Sequence, residues 1–120
     1  MKANALLAAL LLAAVAPVAA QADEMAFFMK NKASRAVVVE LRSRERDHVW
    51  PGDGQVYLLE TGESKSVPIA CEAGENICYG AWLNGDDRTV WGVGPDNDHP
   101  GSDCCYICAP KTTAEIDIGP

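Results

Sequence analysis

The residues with the most chemistry in this chain are five cysteines, Cys71, Cys78, Cys104, Cys105 and Cys108. The run Cys104-Cys105-Tyr106-Ile107-Cys108 contains a C-x-x-C. Cys71, Cys78, Cys105 and Cys108 could together offer four thiolates to a tetrahedral zinc ion, which makes a structural metal-binding protein one reading of the chain. The gap between Cys71 and Cys78 holds six residues, wider than the roughly two to four usual in such sites. In a small exported domain the same cysteines read first as disulfides. A redox-active C-x-x-C opens a helix in a βαβ setting, and the Gly and Pro residues on both sides of this one predict no helix. Cys104 and Cys105 are poorly placed to bond each other, because bridged Cα atoms stand about 4.4–6.8 Å apart and chain neighbours about 3.8 Å apart.

Two pairing schemes remain. One closes Cys71 to Cys78 locally and joins Cys108 to Cys104 or Cys105. The other staples the 71/78 segment to the 104–108 segment. Loop-closure entropy separates a 71–78 bridge from a 71–105 bridge by only about 1.3 kcal/mol, too little to choose between them. Five is odd, so two bridges leave one sulfur over.

The other reactive types are sparse. His48 precedes Val49-Trp50, and His99 sits in an acidic loop. Asp96-Asn97-Asp98 has part of a calcium loop's alternation without its closing Glu. There is no G-x-S-x-G, no H-E-x-x-H and no glycine-rich phosphate loop. These absences point away from an enzyme, and no cofactor is implied. The aromatics Trp50, Trp82, Trp91, Tyr57, Tyr79 and Tyr106 serve a thin core or a binding face. Trp and Tyr beside glycines form flat platforms, so Tyr79, Trp82, Trp91, Gly92 and Gly94 make the candidate binding surface.

The elements that must position these groups read as short strands. Residues 25–29, 36–42, 56–60, 66–71, 77–83, 88–93 and 114–118 are β-branched, aromatic or alternating. Along Val37-Val38-Val39-Glu40-Leu41-Arg42, the odd-numbered residues face inward and Glu40 and Arg42 face water. Asn84-Gly85 between two apolar runs marks a hairpin, across which Trp82 and Trp91 are expected to be neighbours. Pro68 places its strand at an edge or bulge, and residues 94–103 read as a surface loop. The glycines at 80, 92 and 94 mark a bulge or a place where something packs flat on the backbone. The expectation is all-β: a small antiparallel β-sandwich or Greek-key-like barrel of six to eight strands, stapled by disulfides.

The first 22 residues set the context. Met1-Lys2 is followed by an Ala/Leu-rich stretch from Ala5 to Ala16, then Pro17 and small residues. This is the order of a cleavable signal peptide, helical in its apolar part, with cleavage after Ala20 or Ala22. The apolar run is shorter than the roughly 20 residues of a spanning helix, so no stable membrane anchor remains after cleavage. Residues 23–120 then form one domain, secreted or periplasmic. Nine basic residues stand there against seventeen acidic ones, a balance of −8, and six of the nine lie between Lys30 and Arg46. Such a charge argues against nucleic acid. The function these features favour is a small non-catalytic binding module for a protein, peptide or glycan partner. A secreted enzyme inhibitor, presenting the disulfide-locked loop 94–103, is a further alternative.

Overall fold

In the first strand every second residue from Met25 to Asn31 is buried, and in the fifth Val67, Ile69 and Cys71 are buried between exposed neighbours. Period-two burial of this kind is what a sheet with one wet face requires. The computed structural model describes residues 22–99 and 103–120, so the leader expected over 1–22 lies, apart from Ala22, outside the described residues. Among the described residues nine strands run in order: β1 (Ala22–Asn31), β2 (Val37–Ser43), β3 (Val49–Trp50), β4 (Tyr57–Leu59), β5 (Ser64–Glu72), β6 (Asn76–Leu83), β7 (Asp86–Gly92), β8 (Cys105–Ile107) and β9 (Ile116–Ile118). They form two sheets, one ordered β5-β1-β9 and the other built on the central pair β2-β6.

The second sheet divides its outer positions between short strands. β2 pairs with β4 at Val37–Val39 and with β3 at Leu41–Arg42, while β6 pairs with β8 near Cys78 and with β7 near Trp82. The inward faces of both sheets meet in one core. Met25, Phe27, Met29, Val67, Ile69, Ile116 and Ile118 come from one side, and Val37, Val39, Leu41, Leu59, Ile77 and Ala81 from the other. Full burial of side chains this size stabilises by about 1.5–3 kcal/mol each. Phe27 and Tyr106 meet edge to face across the core, at 5.6 Å.

The all-β, disulfide-stapled sandwich is the expected class, with two refinements. The described residues hold nine strands rather than six to eight, because β3 and β8, two and three residues long, add to the seven read from the sequence. The pairing is also not wholly antiparallel. β9 lies parallel to β1, with Met29 beside Ile116 and Asn31 beside Ile118.

A larger correction concerns the outer face of the β2-β6 sheet. Glu40 and Arg42 are not in open water, their side chains being 14% and 23% exposed. The chain after β7 folds back across them. Val93 N–H donates to Tyr79 O, His99 N–H to Val93 O, and an Arg42 guanidinium N–H to Pro95 O. The space for this comes from glycine. A Cβ on Gly80 would stand 2.2 Å from Gly94 O, and one on Gly92 would stand 2.1 Å from Tyr79 O. What packs flat on these glycines is the chain's own loop, and Val93 beneath it joins Cys78 and Cys104 in a second, small cluster.

The two crossings at one end of the sandwich, β1 to β2 and β4 to β5, are tied by a single buried residue. Asn31 is fully enclosed. Its Nδ2 donates to Arg35 O and Leu59 O, and its Oδ1 accepts from Ala33 N–H. Its backbone accepts from Gly62 N–H and donates to Glu63 O. Asn31→Asp turns a double donor into an acceptor facing two carbonyls. The expected cost is about 3 kcal/mol or more at neutral pH. Urea denaturation would show it as a lower midpoint with an unchanged slope.

Candidate functional site

The hairpin that carries Trp82 and Trp91 closes as expected, with Asn84-Gly85 between paired Leu83 and Asp86. The register then jumps, so that Trp82 opposes Val90 and Trp91 opposes Ala81. Residues directly opposite each other share a face, so neighbouring pairs alternate. Trp91 therefore turns inward with Ala81 and packs on the main core, while Trp82 lies on the outer face with Val38 and Val90. The two indoles sit on opposite faces and do not pair. Tyr79 packs inward, and Gly92 and Gly94 lie at or under the returning loop. The five residues of the candidate surface are thus divided between the core, the loop contact and one outward indole. All of them except Gly94 are half-buried.

The sulfurs are arranged by strand register. Cys78 and Cys105 oppose each other on β6 and β8 and are bonded, and Cys71 at the end of β5 is bonded to Cys108 beyond β8. This is the scheme that staples the 71/78 segment to the 104–108 segment. The chain-entropy contribution is about 3.9 kcal/mol for the 71–108 loop and about 3.6 kcal/mol for the 78–105 loop. Cys104 is the buried free thiol. With this pairing, all four cysteines of the alternative zinc set are bonded to another sulfur, and no two of that set's bridged pairs share a centre. The one group of three metal-capable side chains among the described residues is Cys78, Cys104 and Cys105. Two disulfides of this kind indicate an oxidising compartment.

The two imidazoles stand apart from this cluster. His99 reaches Asp98 at 3.7 Å and covers Gly94. His48 lies against Trp50, edge to face at 4.5 Å. Neither joins the sulfurs in a metal-capable group, and Cys104 has no imidazole base in the contacts described.

A different concavity lies between the two sheets. A groove of about 580 Å³ runs along the seam where the β5 edge of one sheet faces β3 and β4 of the other. Trp50, His48, Pro51 and Tyr57 line one wall, and Pro68, Ala70 and Glu72 the other. Its size is within the usual range for ligand sites, roughly 300–1,000 Å³. Burial raises the Tyr57 hydroxyl above its ordinary pKa, so it is a neutral donor at physiological pH.

The backbone of the β5 wall can be oriented by its partners. Ala26 bonds to Lys111 and Thr113 on the side away from β5, so Ala26 and its opposite number Pro68 do not exchange hydrogen bonds. By alternation Ser64, Ser66, Pro68, Ala70 and Glu72 all turn their backbone groups outward. Three of these groups are already used: Ala70 O accepts from Trp50 Nε1, Glu72 N–H donates to the Glu75 carboxylate, and Glu72 O accepts from Glu75 N–H. Pro68 has no N–H to leave unpaired, which is the edge position its sequence context indicated.

Only part of this was visible in the sequence. Trp50 and Tyr57 stand out as aromatics, but nothing in their spacing brings them to Pro68 and Ala70, since the seam is a contact between sheets.

At one end of the groove, Glu75 holds the turn from β5 to β6. Its carboxylate takes two hydrogen bonds from Arg46, and its side chain is only 2% exposed. Arg46 also lies 5.7 Å over the Trp50 ring. The Arg46 hydrogen bonds, opposed by burial and aided by Ser43 and the Glu72 N–H, hold Glu75 down to about 2, well below the ordinary 4.5. A depressed carboxyl pKa adds stability that is complete above the unfolded value and is lost as pH falls through the folded one. With Arg46 one-third exposed, screening leaves the contribution of order 2 kcal/mol. Urea midpoints should therefore fall between pH 4.5 and 2 in the native chain, and Glu75→Gln should flatten that part of the profile.

Comparison with protein-family models, with curated proteins and with solved structures finds no match to this chain.

Proposed function

We propose that the chain is a small, exported, non-catalytic binding module whose seam groove takes an extended segment of a partner polypeptide. The observation that carries this reading is the coincidence of an outward-turned strand edge with an aromatic and proline wall. Within the groove the edge offers the Pro68 carbonyl and the Ala70 N–H, and beyond it the same outward edge continues through Ser66 and Ser64. The wall, with Trp50, His48, Pro51 and Tyr57, offers apolar faces with polar tips. Main-chain pairing at an edge gives affinity, and side-chain pockets beside it give selectivity. The groove is also nearly balanced in charge, since Arg46 is taken up by Glu75 and Glu72, so its partner need not be basic despite the acidity of the chain.

Export is part of the same reading. It rests on the leader-like order of residues 1–22 together with the two disulfides. Ala22 pairs with Glu72 and lines the groove. Cleavage after Ala20 keeps that pair, whereas cleavage after Ala22 removes it. N-terminal sequencing of the exported protein should accordingly begin at Gln21.

A random-peptide display library provides a probe for the groove. Peptides selected on the folded protein should lose at least tenfold in affinity with Ser66→Pro, which removes one outward N–H while leaving the β1 pairing intact. His48→Ala should weaken them too, and Thr89→Ala, on the exposed part of the hairpin, should not. Selected peptides that ignore Ser66→Pro and His48→Ala but are lost with Trp82→Ala would transfer the site to the outer face of the hairpin.

A further inference from the structure

The strongest cluster outside the groove is the group of three sulfurs on the outer face of the β2-β6 sheet. Cys78 and Cys105 are bonded across β6 and β8. The Cys104 Sγ stands 3.8 Å from the Cys105 Sγ, and the three Sγ atoms all lie within 4.8 Å of one another. Cys104 is 3% exposed. Its carbonyl accepts from Tyr79 N–H at 2.9 Å, which fixes its backbone beside the residue that follows Cys78. Arg44 closes the group, with its Nε 3.1 Å from the Cys78 Sγ and a terminal nitrogen 3.2 Å from Asn97 Oδ1 of the returning loop. A thiol, a disulfide and a guanidinium thus share one small enclosure.

We propose that these residues form an internal thiol–disulfide exchange site, in which Cys78 bonds alternately to Cys105 and to Cys104. The Cys104 thiol gives up its proton to water, and the thiolate attacks the Cys78 Sγ. The Cys78–Cys104 bond forms as the Cys78–Cys105 bond breaks. The electron pair leaves on the Cys105 Sγ, which takes up a proton. Two electrons stay in one bond throughout, so the exchange needs no oxidant or reductant.

Cys78 is the sulfur attacked, because a bond from Cys104 to Cys105 would close an eight-membered ring through the peptide that joins them and force that peptide away from its planar trans form. Thiolate attack on a disulfide sulfur is the general route of such exchange, and a nearby cation favours the thiolate. Burial raises the Cys104 thiol above its ordinary pKa, and Arg44 opposes that shift by favouring the thiolate, so exchange is slow at neutral pH and faster as pH rises.

The exchange changes the surface of the protein. In one isomer the thiol belongs to Cys104, sealed under Val93 and the loop. In the other it belongs to Cys105, which is half-exposed beside the open side chain of Ile107. A thiol at Cys105 is placed to take a small disulfide. Its thiolate would attack one sulfur of the disulfide of a low-molecular-weight thiol, forming a mixed disulfide and releasing the second thiolate.

The native, oxidised protein tests the exchange directly. It should be incubated with N-ethylmaleimide at neutral pH, digested and fragmented by mass spectrometry. The expected result is label on Cys105 together with a linked Cys78–Cys104 peptide pair, increasing with time. Label confined to Cys104, with Cys78 linked only to Cys105, would overturn the proposal.

Cys105→Ser is the second arm. If exchange geometry exists, this variant forms Cys78–Cys104 and shows no free thiol with Ellman's reagent after denaturation in urea. Two free thiols in a folded variant would refute it. The mixed disulfide has its own readout. Oxidised glutathione should add one glutathionyl mass to the native chain, and at least tenfold less to Cys104→Ser.

Discussion

The carboxamide of Asn31 lies where the chain leaves the first sheet, enclosed by Arg35 and Leu59 carbonyls on its nitrogen and the Ala33 amide on its oxygen. An amide buried without partners costs several kcal/mol, and one with every partner in place pins whatever carries them. Here the partners belong to both chain crossings at that end, from β1 to β2 and from β4 to β5. The other end of β5 has a counterpart in Glu75. Its carboxylate takes Arg46 and the Glu72 amide, and its carbonyl takes the Cys108 amide. Two buried polar residues, one neutral and one charged, therefore fix the two ends of the same strand against the opposite sheet. The apolar core is non-directional and would accept some sliding of one sheet on the other, which these two residues prevent.

With the ends fixed, the two long sides of the sandwich differ. On one side β9 and the segment around Lys111 and Thr113 cover the free edge of β1. On the other, β5 and the β3–β4 edge are joined only at points, by Trp50 to Ala70 and by Lys65 to Leu58 O. The gap between those points is the groove. The outer face of the β2-β6 sheet is closed differently, by the loop after β7 resting on glycine. Arg42 shows how tightly: its guanidinium bonds Glu40 and Pro95, and its Nε is buried with no protein partner. The protein thus seals the surface where aromatics and glycines cluster in sequence and leaves open one where they do not.

That contrast shows what a sequence of this kind carries. Alternation along β2 and β5, the Asn84-Gly85 hairpin and the edge position of Pro68 are local facts, set by side-chain period and turn geometry, and they read correctly. The class of disulfide pairing was narrowed to two schemes, and the register of β6 against β8 chose between them. The failures are all non-local. The three-residue irregularity at 87–89 puts Trp91 on the face opposite Trp82, and no residue there marks it. The short strands β3 and β8 carry strand-forming residues but run only two and three residues, too few to stand out, and exist because longer neighbours template them. Glu40 and Arg42 read as exposed because a loop some fifty residues later, which covers them, has no apolar pattern. The groove is invisible for the same reason: its walls, 46–57 and 68–72, meet only once both sheets are packed.

The parallel seating of β9 beside β1 has a consequence for the order of events. Met29 to Asn31 pair with Ile116 to Ile118, 87 positions further along the chain. The first sheet remains one strand short until that contact closes. Pairings that span most of the chain's length are slow to close because loop entropy opposes them. The free edge of β1 therefore stays open until β9 docks, and the first sheet is among the later parts of the fold to be completed.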